Sequence, residues 1–206
     1  FLPFVSIPDM DTVKPFLKYL QKFGQISEAE FNQWVLPYIK IRKFEKRDLI
    51  TKAGEVENYF NFILQGLVRK FYLKGKEEIN TQISLENHII HSQESFHSRT
   101  PSEYTIEALE PAVLLSISYD DLEKLISYNQ RMEHLGRKVI TFTLVLKDKW
   151  QMQLVKMDPR ERFLKFVSHN PELMQRVPQK YLASFLNIKP ETFSRYKHLI
   201  KEYSKS

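Results

Sequence analysis

The sequence predicts an α+β fold composed of an antiparallel β-roll or jelly-roll domain, one long helix and a C-terminal all-α helix-turn-helix domain. Between residues 41 and 117, short β-rich runs recur at intervals of about 8–12 residues, which is typical of an antiparallel sandwich. From about Gln130 to Met157, apolar side chains repeat with the spacing of a helix. Near Asn187, two short helical patterns flank a tight turn.

The composition is that of a folded, water-soluble chain, with 42% apolar and 27% charged residues among 206. Because the sequence has no cysteine, disulfides and cysteine-ligated metal centres are excluded. No apolar run approaches the roughly 20 residues of a membrane span. The first residues lack the basic leader and cleavage site of a signal peptide. We therefore expect a cytoplasmic protein with no membrane contact.

Residues 1–127 are predicted to form the β-roll domain, preceded by helices between Thr12 and about Lys40. Ser27 and Glu30 have the spacing of a capping box, which marks a helix start. The predicted strands are Ile41–Phe44, Leu49–Thr51, Tyr59–Leu64, Leu67–Leu73, Glu78–Ile83, Tyr104–Leu109 and Val113–Ile117.

The polar stretch from His88 to Ser102 interrupts this rhythm and is interpreted as a binding loop. It carries His88, His91 and His97, three of the six histidines. These histidines have no paired carboxylates or cysteines at fixed spacing, so we expect no metal site.

Residues 128–157 are predicted to form a helix roughly 40 Å long. One apolar stripe runs along it, at Met132, Leu135, Val139, Phe142 and Leu146. Since a lone helix of this length needs a partner, we interpret the stripe as the seam of a parallel homodimer. The alternative is that the helix packs only on its own sandwich.

Residues 158–206 are predicted to form the helix-turn-helix domain, which begins at the cap residue Asp158. Leu182, Ala183 and Leu186 form one apolar face, and Asn187 is suited to a left-handed turn. Pro190 fits the first position of the second helix. The polar outer face of that helix can then read base edges.

The excess of positive over negative charge is confined to the same C-terminal part. Residues 151–206 hold 11 Lys and Arg against 5 Asp and Glu, which accounts for the whole net charge of +6. Such a local excess is typical of phosphate binding, so it favours DNA binding over a solvated helical hairpin.

Arg195 is the first candidate for base recognition, because a guanidinium can pair with guanine O6 and N7. Glu191 can accept from cytosine N4, or can simply be an acid favoured at a helix N-terminus. The remaining candidates for base or phosphate contacts are Thr192, Ser194, Lys180, Lys189 and Lys197.

Taken together, these elements resemble the Crp/Fnr family of bacterial transcription regulators. The specific match is QKYLASFLNIKPETFSRYKHLI, in which Glu191-Thr192-x-x-Arg195 stands where the family has its recognition helix. Gln65-Gly66-Leu67-Val68-Arg69 and Ile106-Glu107-Ala108-Leu109 match its sensor domain. The resemblance implies a homodimer that binds a palindromic double-stranded DNA operator, with RNA polymerase as a further candidate partner.

Two departures from the family pattern matter. The Gly-Glu pair that would hold the ribose of cyclic AMP is absent, and Arg99-Thr100 lies early for the phosphate-binding pair. We therefore expect an unidentified small-molecule effector or none, rather than cyclic AMP. The β-wing that usually follows the recognition helix is also not predicted. The candidate effector pocket combines Phe62, Leu64, Ile83, Ser95, Arg99 and Thr100.

A ligand-binding or protein-interaction module that keeps the sandwich without using the helix pair on DNA is the main alternative. An enzyme is not expected, because no Gly-rich phosphate loop, nucleophile elbow or HExxH pattern occurs.

Overall fold

The structure, a computed structural model, describes residues 8–203, with side chains described as far as Lys197. The helices are α1 (Met10–Gln21), α2 (Glu28–Trp34), α3 (Gln93–Ser98), α4 (Tyr119–Ser127), α5 (Gln130–Lys156), α6 (Pro159–His169), α7 (Pro171–Arg176), α8 (Gln179–Phe185) and α9 (Pro190–Tyr203). A short 3-10 turn at Leu36–Tyr38 leads from the N-terminal helices into the sheets.

The strands are β1 (Lys40–Phe44), β2 (Leu49–Thr51), β3 (Tyr59–Gln65), β4 (Val68–Lys74), β5 (Glu77–Ser84), β6 (Ile89–Ile90), β7 (Thr105–Ala108) and β8 (Ala112–Ser118). The first sheet has the order β1-β8-β3-β6 and the second β2-β7-β4-β5, with antiparallel pairing throughout. The predicted fold class is therefore confirmed. The stretch read as a loop between His88 and Ser102 contains β6 and α3.

The turn between β3 and β4 requires glycine. Gly66 has a φ of +93°, and a Cβ atom there would lie 2.5 Å from the carbonyl oxygen of Pro111. This close approach brings the β3–β4 turn against the β7–β8 turn, and so closes one end of the roll.

Three apolar clusters hold the chain together. One lies between the two sheets and includes Ile63, Val68 and Ile106. A second joins the outer face of the first sheet to α1, α2, α4 and α5. The third joins the outer face of the second sheet to the C-terminal helices, through Ile83 and Leu109 among others. Both faces of each sheet are thus covered, at least in part.

Helix α5 divides into a buried half and an exposed half. Met132, Leu135 and Val139 are each less than 7% exposed and pack in the chain's own core. Phe142 and Leu146 remain 42% and 47% exposed. The predicted five-residue dimer stripe is corrected accordingly, because the first three side chains already contact α1, α4 and the first sheet. The C-terminal half of the stripe keeps exposed surface for a partner, although the Phe142 ring also lies 5.2 Å from that of Phe23.

The junction between α5 and α6 is fixed by hydrogen bonds. Asp158, the predicted cap residue, forms a capping box with Glu161 at the start of α6. The buried Arg162 donates from Nε to the carbonyl of Leu186 at 2.8 Å, and from Nη1 to that of Met157 at 2.9 Å. One guanidinium therefore joins the end of α5 to the turn between α8 and α9. The boundaries assigned to the three domains remain a prediction.

Among the described residues, no helix combines the length and apolar character that crossing a bilayer would require.

Candidate functional site

The C-terminal helices form the predicted helix-turn-helix. Asn187 adopts a left-handed φ of 52°, and the Ile188 amide donates to the carbonyl of Ala183 at 3.0 Å. Helix α9 then begins at Pro190, whose missing N–H would have had no helical partner. Ala183 and Phe193 are completely buried, so α8 and α9 approach closely through a small residue and an aromatic ring.

The outer face of α9 is exposed from Glu191 to Lys197, the part of this helix whose side chains are described. Glu191, Ser194 and Arg195 are exposed, whereas Thr192 is half-buried. The Arg195 guanidinium lies 5.6 Å from the centre of the Tyr196 ring. The lysine candidates are also exposed, at Lys180, Lys189 and Lys197. The structure thus brings the candidate DNA-binding residues to the surface of the helix pair, and their roles remain predictions.

The helix pair is docked on the β-roll by polar contacts that the sequence did not reveal. The Ser184 hydroxyl on α8 accepts from the Asn80 amide at 2.9 Å and donates to the Glu78 carbonyl at 3.0 Å, both on β5. The guanidinium of Arg69 lies between two rings, 3.9 Å from that of Phe71 and 4.0 Å from that of Tyr181. Ser184 and Tyr181 on α8 are each more than a hundred residues from their partners on the β-roll, so no local pattern signals these contacts.

A charge network reinforces this docking. Arg176 at the end of α7 donates to Glu86 at 2.9 Å and to Glu110 at 2.7 Å, on the loops that end the second sheet. Hydrogen bonding to Arg176 lowers the pKa of Glu86. In the same way, the carboxylates raise the pKa of Arg176. This network links the C-terminal helices to the loops of the second sheet.

The predicted effector pocket is only partly assembled, and three of its residues face the wrong way. Phe62 and Leu64 point outward from the first sheet, where Phe62 lies 5.0 Å from the ring of Phe16. Ile83 points outward from the second sheet, towards the C-terminal helices. Because both faces of the strands are apolar, their pattern did not reveal which side was the interior. The residues that alternate with them along the strands point inward, such as Ile63 between Phe62 and Leu64.

Ser95, Arg99 and Thr100 stabilise the loop around α3. Arg99 has a φ of 54° and donates at 2.7 Å to both the Glu57 carbonyl and the Asn58 side chain. Ser95 is buried and donates to the Thr100 carbonyl at 2.5 Å. Since Arg99 and Thr100 are exposed, the prediction that they line the interior is corrected.

The interior has a polar end that sequence reasoning missed. Lys70 on β4 is 5% exposed, and its ammonium donates to the His91 carbonyl at 3.3 Å. Burial and repulsion from Lys147 lower the Lys70 pKa to about 7. Glu57 is also buried and accepts from Thr51 at 2.7 Å, while desolvation raises its pKa. Lys70 is a charged residue within a predicted β-strand, and this was the sequence signal that could have indicated a polar group in the interior.

The rings of His91 and His97 lie 6.0 Å apart. His88 is exposed and His91 is buried, with no hydrogen-bond partner found for either ring nitrogen of His91. In the part of the chain described by the structure, no cluster of three or more His, Cys, Asp or Glu residues is arranged to hold a metal.

Comparison with known proteins agrees with this architecture. Residues 41–129 match the cyclic nucleotide-binding domain family. FixK2 from Bradyrhizobium japonicum aligns over 81% of this chain and 86% of its own, with a TM-score of 0.68 and 15% identity. The c-di-GMP responsive global regulator CLP of Xanthomonas campestris aligns over 95% and 93%, with a TM-score of 0.63 and 14% identity.

The catabolite activator protein of Thermus thermophilus aligns over 90% of this chain and 88% of its own, with a TM-score of 0.55 and 18% identity. No curated protein sequence matches the chain. The chain therefore has the fold of the Crp/Fnr regulators, and the resemblance predicted from its sequence is confirmed at that level.

Proposed function

We propose that this chain, which has the fold of the Crp/Fnr regulators, is a sequence-specific DNA-binding transcription regulator. It acts as a cytoplasmic homodimer and not as an enzyme. Its helix-turn-helix reads a palindromic operator, and its β-roll responds to a small molecule other than cyclic AMP. RNA polymerase is a further partner that we propose from the resemblance alone.

The observation that carries this proposal is the free outer face of α9. Arg195 and Glu191 project from a helix whose opposite face is buried through Phe193. A guanidinium on such a face suits the major-groove edge of guanine. The excess of Lys and Arg in residues 151–206 supplies the attraction to phosphates.

Homodimerisation is supported by the exposed half of α5. Phe142, Val145 and Leu146 are between 42% and 47% exposed on one face of the helix, which is unusual for large apolar side chains. Pairing of two α5 helices would cover these side chains. It would also present two copies of α9 to a two-fold symmetric site.

Exclusion of cyclic AMP is supported by the chemistry of the interior. Arg99 is bound to Glu57 and Asn58 at the surface, so it is not available to a phosphate between the sheets. Inside the roll, the described residues place Lys70 on β4 and the partly buried Arg42 on β1, whose guanidinium lies over the rings of Phe44 and Tyr59. We propose that this arrangement serves an effector of a different shape.

The test is selection of bound sequences from a random DNA pool with the purified protein. We expect a palindromic motif, and binding to it should weaken steeply with salt because phosphate contacts release counterions. Absence of any motif, with affinity independent of salt, would instead support a protein-interaction module. The exposed helix pair would then serve a protein partner.

A further inference from the structure

A cavity of about 70 Å³ lies beneath α5, between the first sheet and α1, α2 and α4. Its walls are almost wholly apolar and include Phe16, Leu125, Met132 and Val139. An apolar cavity of about 150 Å³ can hold benzene, and a water molecule occupies about 30 Å³ of liquid. The cavity therefore has room for roughly two or three methylene-sized groups.

The polar members of the lining are grouped together. They are His91, Gln93, His97 and Thr143. His97 is exposed, so the cavity reaches the surface at this polar side. A ligand that filled the apolar part would have its other end among these side chains.

His91 has hydrogen-bonding capacity that the protein does not use. It is 7% exposed, its ring packs 5.5 Å from that of Phe60 and 5.4 Å from that of Phe96, and both ring nitrogens lack a partner. Desolvation and nearby cations lower its pKa to about 3, so the ring is neutral with one N–H donor. Buried polar groups of this kind are normally satisfied, and a bound molecule would satisfy this one.

The polar end of the cavity also has positive charge. Lys147 on α5 donates to the Gln93 side chain, and Lys70 donates to the backbone carbonyl of His91 from the other side. Although Lys147 is exposed as a residue, desolvation lowers the pKa of its ammonium. Glu57 attracts Lys70, and a further carboxylate, that of Glu123, acts on His97. Among the ion pairs of the described residues, none includes either lysine.

We propose that this cavity binds a small organic carboxylate, with its short apolar chain inside and its carboxylate at the polar end. The His91 N–H and the Lys147 ammonium bind the carboxylate, because charge-assisted hydrogen bonds are the stronger kind. The inference rests on the proposed function, since it names the chemical class of the effector. Lys147 and Val139 belong to α5, so the ligand stabilises this helix against the first sheet.

Binding is tested on the full chain without DNA, by isothermal titration calorimetry at constant ionic strength. The probes are the sodium salts of straight-chain carboxylic acids from acetate to octanoate. The primary alcohols and amines of the same length serve as chemical controls. We expect the carboxylates to bind with a maximum at a short chain, the alcohols more weakly, and the amines not at all. Equal binding of all three classes, or binding of none, would overturn the proposal.

Two variants locate the site. Lys147→Met should raise the Kd of the best carboxylate roughly tenfold or more, through loss of a charge-assisted hydrogen bond. Lys149→Met is the matched control: Lys147 does not itself line the cavity but donates to the lining residue Gln93, whereas Lys149 is an exposed lysine of α5 with no hydrogen bond to the lining among the described residues. His91→Phe keeps the aromatic packing and should also weaken binding. If Lys147→Met binds like the control, the carboxylate lies elsewhere.

Failure of this inference is distinguishable from failure of the proposed function. Calorimetry without DNA reports only on the cavity, whereas sequence selection reports only on α9. If the protein binds carboxylates but selects no DNA motif, the proposed DNA-binding function is refuted and the carboxylate site is supported. If the protein selects a DNA motif but binds no carboxylate, the proposed function is supported and the carboxylate site is refuted.

Discussion

Replacing Arg162 by methionine should loosen the connection between α5 and the helix-turn-helix. The side chain is 4% exposed, and its guanidinium makes two short hydrogen bonds to carbonyls that end helices. Met157 follows the last turn of α5, and Leu186 follows that of α8. Such terminal carbonyls have no helical partner, so a side chain must satisfy them when they are buried.

The magnitude follows from these two bonds. A hydrogen bond to a charged group contributes about 1.5–3 kcal/mol net, and the two together give about 3 kcal/mol or more. Methionine fills a similar volume, so burial of its apolar side chain recovers part of the free energy that the two hydrogen bonds contributed. We therefore expect Arg162→Met to lower the free energy of unfolding by about 2–4 kcal/mol.

Urea unfolding at one fixed protein concentration measures this loss, since the proposed dimerisation would make stability depend on concentration. Arg160→Met is the matched control, because Arg160 is exposed on the same helix. We expect the control to stay within about 0.5 kcal/mol of the wild type, as surface substitutions usually do. Equal unfolding midpoints for the two variants would refute the role assigned to Arg162.

Two further predictions concern the docking and the dimer. Arg176 lowers the pKa of Glu86 below its ordinary value of 4.5, so this contact stabilises the fold above about pH 4.5 and is lost as the pH falls further. Arg176→Met should therefore lower the thermal midpoint at pH 7 and have a smaller effect at pH 3; an equal effect at both would contradict the contact. Phe142→Glu with Leu146→Glu should convert the dimer to a monomer in sedimentation analysis, because both side chains are exposed on α5. A dimer that persists in this double variant would place the interface elsewhere.

Much of the fold was predictable because its signals are local. Alternating and β-rich runs separated by turn residues marked the strands, and helix caps such as Ser27 and Asp158 marked helix starts. Asn187 marked the turn of the helix pair through its tolerance of a left-handed φ. The short β6 and the six-residue α3 were missed, because elements of that length leave little periodic pattern.

The interior of the β-roll was harder to predict, for a physical reason. When helices cover the outside of a sheet, both sets of alternating residues are apolar, and a shift of one residue reverses the assignment. Phe62 and Ile83 were therefore assigned to the interior although they face outward. Met132 was likewise assigned to a dimer seam, because a helical stripe does not distinguish the chain's own core from a partner's.

Contacts between distant segments could not be predicted from local patterns at all. Ser184 and Asn80 lie 104 residues apart, and no local pattern links them. Lys70 could have been noticed as a charge within an apolar strand, but its link to His91 depends on tertiary structure. The candidate DNA-binding residues were accessible to prediction because helix spacing alone determines which face they share.

Base recognition by α9 is tested most directly by measuring the affinity of the wild type and Arg195→Ala for the selected operator and for its single-base variants. We predict that Arg195→Ala loses roughly 1–3 kcal/mol of specific binding and no longer distinguishes the bases at one position of each half-site. Lys189→Ala is the control. It should weaken binding to all DNA sequences about equally, and it should reduce the salt dependence of binding by roughly one phosphate contact. An unchanged base preference in Arg195→Ala would contradict recognition of the operator by this helix face.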